Sequence, residues 1–387
     1  MTGQRLLLLS VSAGAGHRRA AEAIEAAVAL RGDSVQVRHL DVMDFVSSSF
    51  RTLYTDVYLR LIGMAPSVWR YLYDLSNCTP PDSPGQRLRR AVERLSARQL
   101  IAEIDGWQPD AIVCTHFLPA EILFHQRRKG RVGCPIWLQV TDFDVHRMWA
   151  VPDMGGYGVA SDEAAHRLTA LGIDPARIHV TGIPLMPAFA TRLDRSTCMV
   201  ELGLEAARPT ALLMGGGEGL GALDAVTVHL LETVPALQLI VLTGKNAALK
   251  ARLDALQPTY GARLSVQGFT HQVERLMTCA DVVITKPGGL TTAECLAMGR
   301  PMIVNSPIPG QEERNADLLL EAGAALKAVD GVTLAYRVQQ LMDDPVRLGR
   351  MSEAARVLGR PRAAAAVVDR VLSPTFVQES ASCSVLS

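Results

Sequence analysis

Paired cysteines, a long apolar run and a net charge are all missing from this chain. Its seven Cys are odd in number and scattered, with no Cys-x-x-Cys pair. That argues against a disulfide framework or structural zinc and fits a reducing cytosol. No apolar run approaches the roughly 18 residues needed to span a bilayer. Residues 6–11 are too short for the apolar core of a secretory signal. A cytoplasmic protein is expected, with any membrane role at the inner surface. The formal net charge is zero, so nothing draws the whole chain to nucleic acid.

What is present is an alternation of short apolar runs and helical segments. At about 100–200 residues per domain, a chain of 387 residues makes two domains. Expected strands in the first half are 5–11, 35–40, 111–115, 135–139, 157–160 and 178–181. In the second they are 210–214, 238–242, 263–267, 281–285, 301–305 and 325–328. Helices are expected at 18–31, 83–104, 119–129, 162–171 and, last, 360–372, with others between the second-half strands. Strands alternating with helices imply α/β architecture with a parallel sheet in each half. The break falls near 182–195, where Pro184 and Pro187 interrupt the pattern. We therefore expect domains at 1–190 and 191–372, and a disordered tail at 373–387.

Each half opens with a strand running into glycines. The first reads Ser12-Ala13-Gly14-Ala15-Gly16-His17, and the second Gly215-Gly216-Gly217-Glu218-Gly219. Ligands of open α/β sheets sit at the carboxyl ends of strands, so two such domains face to face make a cleft with a substrate on each wall.

The stretch 286–315 carries the most chemistry. Lys286, Pro287, Gly288 and Gly289 follow a buried strand, and a helix begins near Thr291 with Thr292 beside it. Free N–H groups and the positive helix end make such a turn a phosphate site. Glu294, in the first helical turn, suits a ribose hydroxyl. Gln311 and Glu312 in a polar loop suit a sugar. Asn315 falls one helical turn after Gln311, so both can face one cleft. Together these parts read as a nucleotide-sugar site. Each residue also has an ordinary reading, as an early-helix acid or a turn former, but the joint spacing favours the ligand.

His17 lies at or just before a helix start, where the positive helix end disfavours imidazolium. A neutral imidazole there can take a proton from a hydroxyl, or merely cap its own helix. Gly14 and Gly16 also form a weak dinucleotide fingerprint, with Asp41 after the second strand. A dehydrogenase would leave the glycine-rich second half unexplained.

These residues carry a family resemblance. The segment from Ser12 through His17 to Ile24 resembles the N-terminal signature of the monogalactosyldiacylglycerol synthases and processive diacylglycerol glucosyltransferases. The 286–315 stretch resembles the donor motif they share with MurG-like enzymes, and Thr141-Asp142-Phe143-Asp144-Val145-His146 matches the lipid-glycosyltransferase branch. The resemblance implies a GT-B fold of two Rossmann-like domains. It implies inverting transfer of galactose or glucose from a UDP-sugar to diacylglycerol at a membrane surface, with no tightly bound cofactor and no essential metal. His17 becomes the general base, Gly14, Gly16, His116, Asp142 and His146 acceptor-side residues, and Phe269 with Thr270 part of the uracil segment. By its own residue type, Phe269 reads better as packing. The loop departs from the family in one place: Ala15 interrupts what would be Gly-Gly-Gly-His.

Asp142 and Asp144 do not read as a metal pair, because GT-B sites offset diphosphate charge with helix ends and basic groups. Residues 49–75 hold Phe50, Tyr54, Tyr58, Trp69, Tyr71 and Tyr73 with three Arg. The following helix, 83–104, is Arg-rich. Aromatics beside Arg suit an anionic lipid surface, or else make an internal insert with a solvated face. Alternatives that keep the fold are a MurG-like enzyme with another lipid or soluble acceptor, and a nucleotide-sugar sensor without turnover.

Overall fold

The computed structural model describes residues 3–12, 14–32, 34–46, 70, 77, 98–215, 223–373 and 376. The aromatic stretch 49–75 therefore lies outside the described residues, apart from Arg70, as do 83–97 of the basic segment.

The chain divides into two compact units, one of residues 1–187 with 362–387 and one of residues 188–361. The first contains a six-stranded sheet ordered β2-β1-β3-β4-β5-β6. Its strands are β1 (Arg5–Ser10), β2 (Gln36–Asp41), β3 (Ala111–Cys114), β4 (Ile136–Gln139), β5 (Gly156–Val159) and β6 (Ile178–Val180). The second contains another, ordered β12-β11-β10-β7-β8-β9. Here the strands are β7 (Thr210–Met214), β8 (Gln238–Leu242), β9 (Leu264–Gln267), β10 (Val282–Thr285), β11 (Met302–Asn305) and β12 (Ala325–Ala328). Every pairing in both sheets is parallel. Parallel strands covered by helices on both faces need apolar residues throughout. That is why runs such as Leu6–Leu9 and Val282–Ile284 were legible, and all of these residues are fully buried.

Helices that position the candidate site are α1 (Ala15–Arg31), α2 (Phe117–Arg127), α3 (Asp162–Ala170), α4 (Gly289–Ala297), α5 (Gln311–Glu321) and the last, α6 (Ala363–Val371). α1 starts three residues earlier than expected from its sequence. Small residues make Ala15 and Gly16 look like loop, but the helix takes them. Gly14 caps it in a left-handed conformation (φ 98°) with no side-chain cap bond.

The last helix does not stay with the second unit. Ala364, Val367, Val368 and Val371 join a core cluster with Leu6, Leu8, Ala21, Ile24, Val28 and Trp137 of the first. A terminal helix with one apolar stripe goes where that stripe finds cover, and chain order does not say where that is. Most of the expected disordered tail lies outside the described residues. Phe376, which is described, sets its ring against Trp137 with centroids 5.8 Å apart.

Candidate active site

In the first unit, three strand ends converge on His17. Helix α1 follows β1 and carries His17 in its opening turn. Thr115 lies just past β3, and Thr141 just past β4. The His17 Nδ1 is 3.1 Å from the Thr115 carbonyl oxygen and 2.8 Å from Thr141 Oγ1. Thr115 grips the residue a second time, its hydroxyl donating to the His17 carbonyl at 2.8 Å. No described residue bonds Nε2. A carbonyl can only accept, so Nδ1 at that distance is best read as the protonated nitrogen. Nε2 is then the ring's lone pair.

Burial lowers the His17 pKa to about 4, opposed in part by the bond to Thr115. The ring is therefore neutral at pH 7, as its place at a helix start suggested, with desolvation as the cause of the lowering. Around it stand other rings. His116 meets His17 edge to face at 4.6 Å, and Trp149 lies 6.2 Å from His17 and 5.9 Å from His116.

Gly14 sits at the loop tip in a backbone conformation that side chains rarely adopt. Gly16 is helical. Ala15, the departure from the family pattern, is the first helical residue and needs no special dihedrals. His116 and His146 each hold a local turn. The His116 Nδ1 accepts from Leu118 N at 3.0 Å to cap α2, and the His146 Nδ1 accepts from Met148 N at 3.2 Å. Asp142 is buried. Asp144 is also buried and pairs with Arg167 of α3 at 3.0 Å, which ties the motif loop to that helix.

In the second unit, Gly215 is buried at the end of β7, while Gly216, Gly217 and Gly219 lie outside the described residues. The 286–289 turn leaves β10 and enters α4 at Gly289, two residues before the expected start. Gly288 caps it with ordinary extended dihedrals and no side-chain bond. The first N–H groups of α4 are thus left for a ligand. Thr291 is partly exposed. Thr292 is fully buried, and its hydroxyl has no hydrogen-bond partner among the described residues. Glu294 falls in the second turn of α4 instead of the first.

Asn315 departs from expectation. It is fully buried, and its Nδ2 donates to the Pro287 carbonyl at 2.9 Å. It fastens the glycine turn from behind instead of facing a cleft beside Gln311. Gln311 opens α5. Glu312 turns back to accept from Ile308 N at 2.6 Å. Burial raises its pKa, against the Ile308 bond and the charge of Lys286.

Phe269 also contradicts its packing reading. It is 56% exposed, at the carboxyl end of β9, with Lys245 Nζ 5.4 Å from its ring centre and His271 edge-on at 4.9 Å. Thr270 accepts from Gln272 N at 3.0 Å, closing a turn just before the helix that starts at Val273. An exposed aromatic face beside a cation can stack a planar base. Sequence reasoning assigned nothing to Thr115, Thr141 or Lys245. Their shared signal is position, each shortly past a strand's carboxyl end, and Thr141 also opens the 141–146 motif.

Two Rossmann-like units, each with a glycine turn at strand ends, make the GT-B architecture. The fold matches the crystal structure of Acinetobacter baumannii MurG, with TM-score 0.61, 17% identity and coverage of 95% of this chain and 99% of that one. It also matches UDP-GlcNAc 2-epimerase from Neisseria meningitidis bound to UDP-GlcNAc, with TM-score 0.59, 14% identity and coverage of 95% and 99%. An epimerase and MurG share this fold, so architecture alone does not choose the reaction. Sequence does. Residues 17–185 match the monogalactosyldiacylglycerol (MGDG) synthase family, and residues 210–367 the glycosyltransferase family 28 C-terminal domain. Each half of the chain thus matches a glycosyltransferase family. Over 373 residues it is 29% identical to the processive diacylglycerol beta-glucosyltransferase of Bacillus subtilis (strain 168), covering 96% of this chain and 95% of that protein.

Proposed function

We propose that the protein moves a hexose from a UDP-sugar to the hydroxyl of diacylglycerol, with inversion. The observation that carries this reading is the His17 ring, held by Nδ1 with Nε2 bonded by no described residue. A sensor that only bound nucleotide-sugar would have no use for a positioned base. The acceptor follows from the likeness to diacylglycerol glucosyltransferases along nearly the whole chain. That likeness also favours glucose over galactose.

In one step, the acceptor oxygen attacks the anomeric carbon while its proton passes to Nε2 of His17. The bond from that carbon to the diphosphate breaks, and its electron pair leaves with UDP. No covalent enzyme intermediate forms, so one base suffices. Lys286 and the opening N–H groups of α4 offset the charge that develops on UDP. Phe269 and Lys245 offer the uracil a stacking face. Gly14 shapes the acceptor loop, and His116, Asp142 and His146 belong to the acceptor side, the two His through the turns they hold. No metal is expected in the reaction. The lipid acceptor places the enzyme at the inner membrane surface, where residues 49–75 and 83–97 supply aromatics and Arg. No described helix is long and apolar enough to cross a membrane.

The test is a radiolabelled transfer assay with diacylglycerol in anionic vesicles, given UDP-glucose and UDP-galactose in parallel. A labelled glycolipid is the expected result, larger with UDP-glucose. UDP binding without product would retain the donor reading and overturn the acceptor, leaving another lipid or a soluble molecule in its place. Salt-sensitive binding to anionic vesicles, with little to neutral ones, is expected of the membrane contact.

A further inference from the structure

We infer that Thr141 is a positioning residue for transfer: its hydroxyl, with the Thr115 carbonyl, locks the His17 ring so that Nε2 faces the acceptor as base. The inference rests on the proposed role of His17 and adds what holds that residue.

Bases of this type are commonly oriented by a carboxylate at the second ring nitrogen. None bonds His17 Nδ1. Its two neighbours are neutral oxygens, Thr115 O at 3.1 Å and Thr141 Oγ1 at 2.8 Å. They come from the ends of two adjacent strands, β3 and β4, so the sheet itself sets their separation. Thr115 cannot be tested cleanly by side-chain replacement, because its contact with the ring is a backbone carbonyl. Thr141 can. It is 5% exposed, and no other bond of its hydroxyl is seen among the described residues. A buried hydroxyl spent on one ring nitrogen needs that ring for its own satisfaction. Valine has the same shape, but its methyl needs about 3.5 Å or more where the hydroxyl stood at 2.8 Å. It would push the imidazole off its line.

A neutral holder also has a chemical consequence. A carboxylate would stabilise imidazolium and favour holding the proton. Two neutral oxygens orient the ring yet leave the charged form poorly stabilised, so the acquired proton is readily given up after transfer.

The experiment has three parts. Selective ¹⁵N-histidine labelling, assigned with the His17→Ala variant, reads the tautomer of His17 at pH 7. Protonated Nδ1 with bare Nε2 is expected, and the opposite tautomer overturns the inference. Thr141→Val should lower kcat about tenfold to a hundredfold, with KM for the UDP-sugar unchanged and the thermal midpoint near that of the natural protein. Thr141→Ser, which restores the hydroxyl, should recover most of kcat. Unchanged kcat in the valine variant, or a serine variant as slow as valine, removes Thr141 from the mechanism. If His17→Ala itself keeps turnover, the base reading falls and takes this one with it. Loss in His17→Ala beside an unaffected Thr141→Val overturns the Thr141 inference alone.

Discussion

In the first unit a single side chain is held by its surroundings, whereas in the second the backbone itself is presented and side chains hold it from behind. His17 is neutral, desolvated and gripped at one nitrogen. The 286–289 turn leads into a helix start with no side-chain cap bond among the described residues, and buried Asn315 pins the Pro287 carbonyl. The contrast fits the chemistry proposed for each. A hydroxyl proton needs one lone pair at one point, which only an oriented side chain supplies. A diphosphate spreads charge over many oxygens, which a row of N–H groups matches.

The sharpest way to break this comparison is to remove the side chain on which the first site depends. His17→Ala should lower kcat by about 10²–10⁴-fold, while UDP affinity by calorimetry stays as it was. Equal losses in both would mean that His17 supports the fold instead of the proton transfer. In the second site the expected losses are smaller, because many groups share the ligand. Asn315→Ala should weaken UDP binding and cost about 1–3 kcal/mol of stability, since the Pro287 carbonyl loses its buried donor. A variant that melts earlier but binds UDP normally would confine Asn315 to a structural role. Phe269→Ala should cost about 1–3 kcal/mol of UDP affinity if its exposed ring stacks the base. It should leave the thermal midpoint alone, because the ring buries little.

Gly14→Ala should cost about 1 kcal/mol from its positive φ alone. Open space surrounds its Cβ position, so any larger loss of turnover would come from a moved loop and not from a clash. The smallest expected effect is a flat line. With the folded pKa of His17 lowered to about 4, the base stays unprotonated as pH falls from 8 to 5.5, and kcat should hold. Its contribution to stability is complete above the ordinary histidine value and is lost as pH drops toward the lowered one, because the unfolded chain binds the proton first. An acid limb of kcat near pH 6.5 would show that His17 is not desolvated in solution.

Much of this was legible without coordinates. The strands were, because parallel strands buried on both faces must be apolar end to end. The turn at Lys286–Gly289 was, because glycines between an apolar run and a helical segment mark a strand-to-helix passage. Local chemistry failed where a residue's role depends on distant company. Asn315 has a helical period that points toward Gln311, yet its amide was claimed by a carbonyl 28 residues away. Phe269 looks like core by residue type, yet it stands exposed beside Lys245. The start of α1 lies earlier than its sequence suggests, because a helix capped by backbone conformation alone leaves no capping side chain to recognise.

The sequence by itself determined the two parallel sheets, the glycine turns that end their strands, and the family resemblance, since each is written in short contiguous runs. Only the tertiary structure decided that the last helix covers the first unit and that burial lowers the His17 pKa. It alone decided that two threonines 26 residues apart close on one imidazole nitrogen. The physical reason is the same in all three. Burial and convergence are set by which strand ends and helix stripes meet, and no local pattern encodes the distance between them.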